Sequence, residues 1–459
     1  MSFIWSASLW VIALVVIMIS KWLYRWSNPN CNGKLPPGSM GFPIIGETFD
    51  FFEVHGFYEI SPFVKKRILR YGPLFRTNIM GSNTVVLTEP DVIYEVFRQE
   101  NESFIFSYPE GFVKPFGKDS VFYERGNIHK HVKQVTLQLL GSESLKRKMI
   151  RDIDRVTCEH LKSKATKGSF DVMDTVENLI MAHLTPKIIC NLEPETQRNL
   201  MENLKAFKND WFRSLFTLKT WLSLYKAFKA RKVAVQLIKD VFTRRKASRE
   251  KFGDFLDTIV EELEKEDAVF NEATAINLLF GLMIVAKDST SVVTSLAIKF
   301  IAENPKALAE LKREHEAILK NREDKEAGIS WEEYRHSMTF TNMKSKARYT
   351  IPAGWIAAVV PSAVHYDPAI YENPFEFNPW RWEGKELRSG SKTFMVFGGG
   401  VRQCAGAESA RLQISIFIHY LVTKYDFSLA QEFEFLRTPL PFFPKGVPIN
   451  ISQSSKYLV

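Results

Sequence analysis

Residues 397–406 read Phe-Gly-Gly-Gly-Val-Arg-Gln-Cys-Ala-Gly. Cys404 sits in a glycine-rich turn, with Arg402 two residues before it, and the run 405–420 after it reads as a helix. A cysteine so placed suits a metal ligand. The thiolate is the metal-binding form of sulfur, and a helix N-terminus stabilises its negative charge. The small residues let the turn lie against something flat, and Arg402 offers a cation to an acidic group. The plainer alternative is a glycine loop that leads into a helix and carries an inert buried cysteine.

Two further groups have chemical potential. Within a long apolar run, residues 285–291 read Val-Ala-Lys-Asp-Ser-Thr-Ser. Asp288, Ser289 and Thr290 put an acid and two hydroxyls in the middle of a predicted helix. A hydroxyl there can bond back to the preceding turn and bend the helix; a packing contact is the alternative. Upstream, Gly126 opens the stretch Gly-Asn-Ile-His-Lys-His-Val-Lys. Its His129 and Lys133 lie one turn apart, and both can donate to a carboxylate, although lysine lacks the two-pronged fork of arginine. The alternative is an exposed basic helix start. The four cysteines, Cys31, Cys158, Cys190 and Cys404, show neither zinc spacing nor a disulfide framework, which suits a reducing compartment. His129 and His131 are the one close histidine pair, so a zinc enzyme has no support.

Phe397, Gly400, Arg402, Cys404 and Gly406 fit the pattern Phe-x-x-Gly-x-Arg-x-Cys-x-Gly, which resembles the haem-ligand signature of the cytochrome P-450 monooxygenases. Five such positions match by chance in about one chain in 10,000 of this length. The resemblance implies haem held by the Cys404 thiolate, which pushes electron density to the iron and favours O–O cleavage. It implies that Asp288, Ser289 and Thr290 lie on the oxygen-activating helix, with Ser289 in place of the usual threonine and Ala286 where glycine is commoner. It also implies that His129 and Lys133 face a haem propionate. The stretch from His365 to Trp382 resembles the family's meander, with Pro374, Phe377, Pro379 and Arg381. The runs 351–355 and 378–382 resemble the plant oxidases of sterols and triterpenoids, the thalianol hydroxylases among them. The implied reaction is oxygen insertion into a lipophilic substrate, with electrons from NADPH through a membrane-bound reductase. A haem-binding isomerase or dehydratase is a weaker alternative, because it needs no proton relay to dioxygen.

The elements that must position these residues read as mainly α with a small β-sheet, the cytochrome P-450 fold, behind one N-terminal transmembrane helix. Apolar spacing predicts helices over 171–191, 195–207, 226–245, 272–303 and 305–318, with Pro186 kinking or dividing the first. Strand-like runs fall at 74–78, 84–88 and 356–360. Residues 3–20 are almost wholly apolar, flanked by Trp5, Trp10, Trp22, Tyr24 and Trp26, and followed by Lys21, Arg25 and Lys34. That predicts a bilayer span with the body in the cytosol, at the endoplasmic reticulum; a cleaved signal peptide is the rival. The expected layout is an anchor over 1–26, a proline-rich hinge over 27–48 and a haem domain over 49–459. The net charge of +9 has local density over 226–249, which suits a membrane surface or a solvated helix face. No nucleic-acid recognition module is recognisable.

One expected piece is missing. In the family, a Glu-x-x-Arg helix ahead of the meander pairs with the arginine at the position of Arg381. Here Met343 runs directly into Lys344, where family members have a further helix and two strands. Glu332 and Arg335 match the pattern in the wrong place; Glu408 with Arg411 and Glu434 with Arg437 match it too. The expectation is an internal gap at 343–344, an unpaired Arg381 and a chain that holds haem poorly. The alternative to an active enzyme is thus a non-catalytic truncated isoform or a mispredicted gene model.

Overall fold

Helices begin where the sequence supplies acceptors for the first free N–H groups. The structure, a computed structural model, describes residues 2–56, 59–108, 113–145, 149–216, 220–320, 349–384, 390–438 and 440–454. In chain order the elements used below are α1 (Ser2–Ser27), β1 (His55–Gly56), α2 (Pro62–Tyr71), β2 (Leu74–Ile79), β3 (Ser82–Leu87), α3 (Pro90–Arg98) and α4 (Gly126–Leu140). Then come α5 (Ile150–Ala165), β4 (Ser169–Asp171), α6 (Val172–Ile188), α7 (Pro194–Phe216), α8 (Thr220–Ser248), α9 (Phe255–Leu263), α10 (Glu272–Glu303) and α11 (Pro305–Lys320). The chain ends with β5 (Ile356–Val359), α12 (Ala407–Lys424), β6 (Tyr425–Leu429), β7 (Leu436–Thr438), β8 (Leu440–Phe442) and β9 (Pro448–Gln453). Asp171, Asp254 and Asn271 cap α6, α9 and α10 through side-chain oxygens that accept from the N–H three residues on, at 2.9, 3.0 and 2.9 Å.

The chain divides into two units. The first comprises residues 1–99, 339–402 and 435–442. Its main sheet runs β2-β3-β5, with β2 antiparallel to β3 and β3 parallel to β5. Alternation along the strands splits the core between the two faces. Leu74, Val85 and Leu87 pack with Ile93, Val364 and Met395, while Phe75 and Val86 pack with Phe63 and Val64. The segment 27–48 is stitched to β2: Arg76 N donates to Pro37 O at 2.9 Å and Glu47 N to Asn78 O at 2.7 Å. On α1, none of residues 10–27 is buried in the protein. Its Trp26 Nε1 donates to Gly41 O at 3.1 Å, tying the helix end to that segment.

The second unit comprises residues 100–338, 403–434 and 443–459. It holds α4 to α12 and the sheet β4-β9-β6. α10 is long and apolar enough to cross a membrane, but 61% of it is buried, so it is the core helix here. It packs against α6, α7, α8 and α12.

The structure refines several expectations. α6 is not divided at Pro186, because that proline lies in the last turn before Ile188 and costs little helix. α7 and α8 run beyond the expected 195–207 and 226–245, since 195–248 contains neither glycine nor proline to stop them. The helix after Cys404 begins at Ala407 rather than 405 and runs on to Lys424. The small sheet is three separate three-stranded ladders among the described residues. The 343–344 junction and the Glu332–Arg335 pair lie outside the described residues.

Candidate functional site

The glycine turn is shaped from below by α3. Gly400 has φ +60°, and a Cβ on it would come 2.4 Å from Phe97 O; one on Gly399 would meet the Phe97 ring at 2.7 Å. Only glycine fits both positions, and that fixes how the backbone of 397–402 lies. The segment before it is braced too. Gly398 N donates to Met395 O at 2.9 Å, Met395 N donates to His365 Nε2 at 3.0 Å, and Lys392 pairs with Asp91. Burial pulls the His365 imidazole below its ordinary range, which suits its role as an acceptor. Phe397 and Arg402 are half-buried.

The chain passes into the second unit between Arg402 and Gln403. Cys404 is exposed and free, and Gly406 is the N-cap of α12. The thiol therefore stands beside the positive end of an 18-residue helix. A Cβ on Gly406 would lie 3.9 Å from both Cys404 Sγ and Leu140 Cδ1, so the end of α4 reaches the turn. α12 also packs on α10.

Two helices of this unit present open stripes. On α10, Val285 (46% exposed), Ser289 and Val293 (50% exposed) follow one another at four-residue spacing. Ser289 Oγ donates to Val285 O at 3.3 Å, the expected back-bond, and the helix continues through it unbroken. Thr290 is buried on the packed side, where its carbonyl accepts from Thr294 Oγ1 at 2.7 Å. On α4, half-buried His129 and Lys133 continue into exposed Leu137 at the same spacing. Its other histidine, His131, turns to α9, with Nε2 3.0 Å from Glu262 Oε2.

Asp288 lies behind the open stripe in a buried group of four charges. Lys208 of α7 pairs with Glu177 of α6 and lies 2.9 Å from Asp288 Oδ1, close for an ion pair but off the directional line of a hydrogen bond. Lys287 Nζ lies 3.7 Å from Glu177 Oε2. Burial pushes the Asp288 carboxyl above its ordinary range, against the pull of Lys208 and Lys287. Burial also lowers Lys287. In Lys208 burial is outweighed by Asp288 and Glu177, which hold its pKa up. Sequence reading missed Glu177 and Lys208. The one local signal was a lysine beside Asp288 directly after the apolar run 278–286.

These surroundings fit a haem. The thiol is exposed at a helix N-terminus, and large apolar side chains of α4 and α10 stand uncovered in the same unit, as a flat apolar group would require. Arg381 shows no carboxylate partner among the described residues but, contrary to the expectation, it is not left unsatisfied. Its guanidinium donates to the carbonyls of Glu372 (2.8 Å), Asn373 (2.9 Å), Glu376 (3.0 Å) and Asn378 (3.2 Å). Four main-chain acceptors satisfy the guanidinium and bind the meander to itself, and the side chain is half-buried rather than sealed. Of the other literal matches, Glu408 pairs with Arg411 one turn along α12 at 2.7 Å, while Arg437 reaches the distant Ser362 Oγ at 3.4 Å.

The chain is 71% identical to Cytochrome P450 708A2 of Arabidopsis thaliana, over 99% of this chain and 100% of that one. It is 34% identical to the beta-amyrin 16-alpha-hydroxylase CYP87D16 of Maesa lanceolata, over 98% and 100%. Among solved structures, the retinoic acid-bound cyanobacterial CYP120A1 shares the fold with a TM-score of 0.74 at 17% identity, over 92% of this chain and 100% of that one. The Cytochrome P450 family model matches residues 36–346 and 335–444. With the thiol, its glycine turn and its flanking helices in place, the chain belongs to the cytochrome P-450 family, enzymes of the haem-thiolate monooxygenase type.

Proposed function

We propose that this chain is a haem-thiolate monooxygenase that hydroxylates a lipophilic triterpenoid or sterol-like substrate, using O2 and electrons from NADPH delivered by a membrane-bound reductase. The observation that carries the reading is the exposed Cys404 just before α12, a helix whose N-cap Gly406 is reached by α4 and which packs on the helix of Asp288 and Ser289. Phe397, Gly400 and Gly406 shape the turn. Arg402, His129 and Lys133 would hold the haem carboxylates, and Cys404 its iron. Bound there, the haem supplies dioxygen activation, with electron density pushed from the thiolate. Ser289 offers a hydroxyl on the open face, and Asp288 behind it hands on protons; buried Thr290 steadies that turn. The relative from Maesa lanceolata, named as a beta-amyrin hydroxylase, supports the substrate class. The apolar α1, with Lys21, Arg25 and Lys34 after its span, supports an anchor over 1–26 in the endoplasmic reticulum membrane and a cytosolic body. The hinge over 27–48 leads to the haem domain over 49–459. The test is turnover of a panel of triterpene alcohols and sterols with a plant reductase. A hydroxylated product is expected; none from a preparation with full thiolate-haem content counts against it.

A second reading has its own observation. The family model matches in two stretches that meet at 335–346, and the alignment with the Arabidopsis relative spans 476 positions against 459 residues here. The alignment length supports missing residues and the divided match supports a place near 343–344, and hence a truncated, non-catalytic form with low haem content. Restoring a segment of the relative's length at that junction separates the two. Haem content that rises several-fold favours the second reading, and unchanged content favours the first.

A further inference from the structure

The four buried charges come from three helices: Glu177 on α6, Lys208 on α7, and Lys287 and Asp288 on α10. Two cations and two carboxylates make a neutral set, whose mutual attraction offsets the desolvation cost of burying charge. The arrangement is uneven. Lys208 is shared between Glu177 and Asp288, whereas Lys287 faces Glu177 at 3.7 Å. We propose that Glu177 is a positioning residue for Asp288. By engaging both lysines it limits how firmly they hold the Asp288 carboxylate, and so leaves that group able to take up and release a proton. This rests on the reading that Asp288 hands on protons.

The electrostatics run in the same direction. The charged groups acting on Asp288 are Lys208 from α7, Lys287 from its own helix and Glu177 from α6. Without Glu177, two buried ammonium groups would share one carboxylate, and each would hold it ionised. Without Lys208, the carboxylate would lose its nearest cation in a buried place and keep its proton. The two removals therefore act in opposite directions, whereas a packing role alone would destabilise the fold with no such opposition.

The test is a difference-infrared pH titration of the Asp288 carboxyl in the detergent-solubilised full chain, with Asp288→Asn as the blank. The midpoint is expected to move to lower pH in Glu177→Gln and to higher pH in Lys208→Met, with Glu177→Asp returning toward the unaltered value. Movement in the same direction in both, or none, overturns the proposal. Should Glu177→Gln not fold, Lys287→Met serves: it removes the cation that Glu177 holds and is expected to raise the midpoint, and an unmoved midpoint overturns the proposal equally. In the haem-loaded enzyme, Glu177→Gln is expected to lower the product formed per NADPH several-fold at unchanged KM. The titration needs no haem, so a chain without a thiolate-haem spectrum but with opposed midpoints would defeat the monooxygenase reading and leave this one standing.

Discussion

At the scale of single residues, the site divides into groups fixed by their neighbours in the chain and groups fixed by distant ones. Ser289 is of the first kind. Its back-bond to Val285 O is exposed and long, so Ser289→Ala is expected to change unfolding free energy by less than about 0.5 kcal/mol. In the loaded enzyme it should lower the product formed per electron; urea unfolding and NADPH-coupled turnover check the two halves. Cys404, Arg402 and Gly400 stood out in the sequence because cysteine, turn and helix start follow one another within ten residues. Glu177 and Lys208 were not, because α6 and α7 bring them to Asp288 from far along the chain and neither stands in a local pattern. Arg381 was read as lacking a partner because the sequence search sought a carboxylate; main-chain carbonyls leave no mark in a sequence. Arg381→Ala should lower stability by about 1–3 kcal/mol, since several charged hydrogen bonds go with it, and urea unfolding reads the loss.

At the scale of elements, the helices carrying the site depend on a clamp away from it. Arg245, near the end of α8, binds Asp254 Oδ1 at 2.9 Å and also Asp257, both at the start of α9, and all three side chains are at least nine-tenths buried. Asp257 also accepts from Gly253 N at 2.7 Å and Phe252 N at 2.6 Å; despite burial, these donors and Arg245 hold its carboxyl below the ordinary range. Arg245→Met would leave two buried carboxylates uncompensated, so a loss of about 3–5 kcal/mol is expected in denaturant unfolding. A variant within 1 kcal/mol of the unaltered chain would show the clamp to be dispensable. The longer elements were legible from periodicity, and α10 matched its expected bounds because Asn271 and Asn304 flank a run of steady apolar spacing. The ladders β1-β7-β8 and β4-β9-β6 were not: β1, β4, β7 and β8 have only two or three residues, too few to show alternation, and the five- and six-residue β6 and β9 did not stand out either.

At the scale of the whole molecule, acid stability and membrane attachment follow from buried and exposed extremes. His183 of α6 is 3% exposed, and burial pulls its pKa down to about 4, only partly offset by Gln413. The unfolded chain takes up that proton near the ordinary value of about 6.5. The contribution is thus full above pH ~6.5 and is lost as pH falls toward about 4, a loss of about 3 kcal/mol. Unfolding midpoints of His183→Leu should show a shallower acid limb than those of the unaltered chain. Removal of residues 2–27 should move the protein from the membrane to a peripheral or soluble fraction, because none of the apolar residues over 10–27 is buried in the fold. Both expectations concern the scaffold; the central claim is that Cys404 ligates haem in this chain. Its most direct measurement is the reduced, carbon monoxide-bound absorption spectrum of the purified full-length protein beside Cys404→Ser. The predicted result is a thiolate-type Soret band in the unaltered protein that is lost in the variant. A histidine-type band in both, or no haem in the unaltered protein, would contradict it.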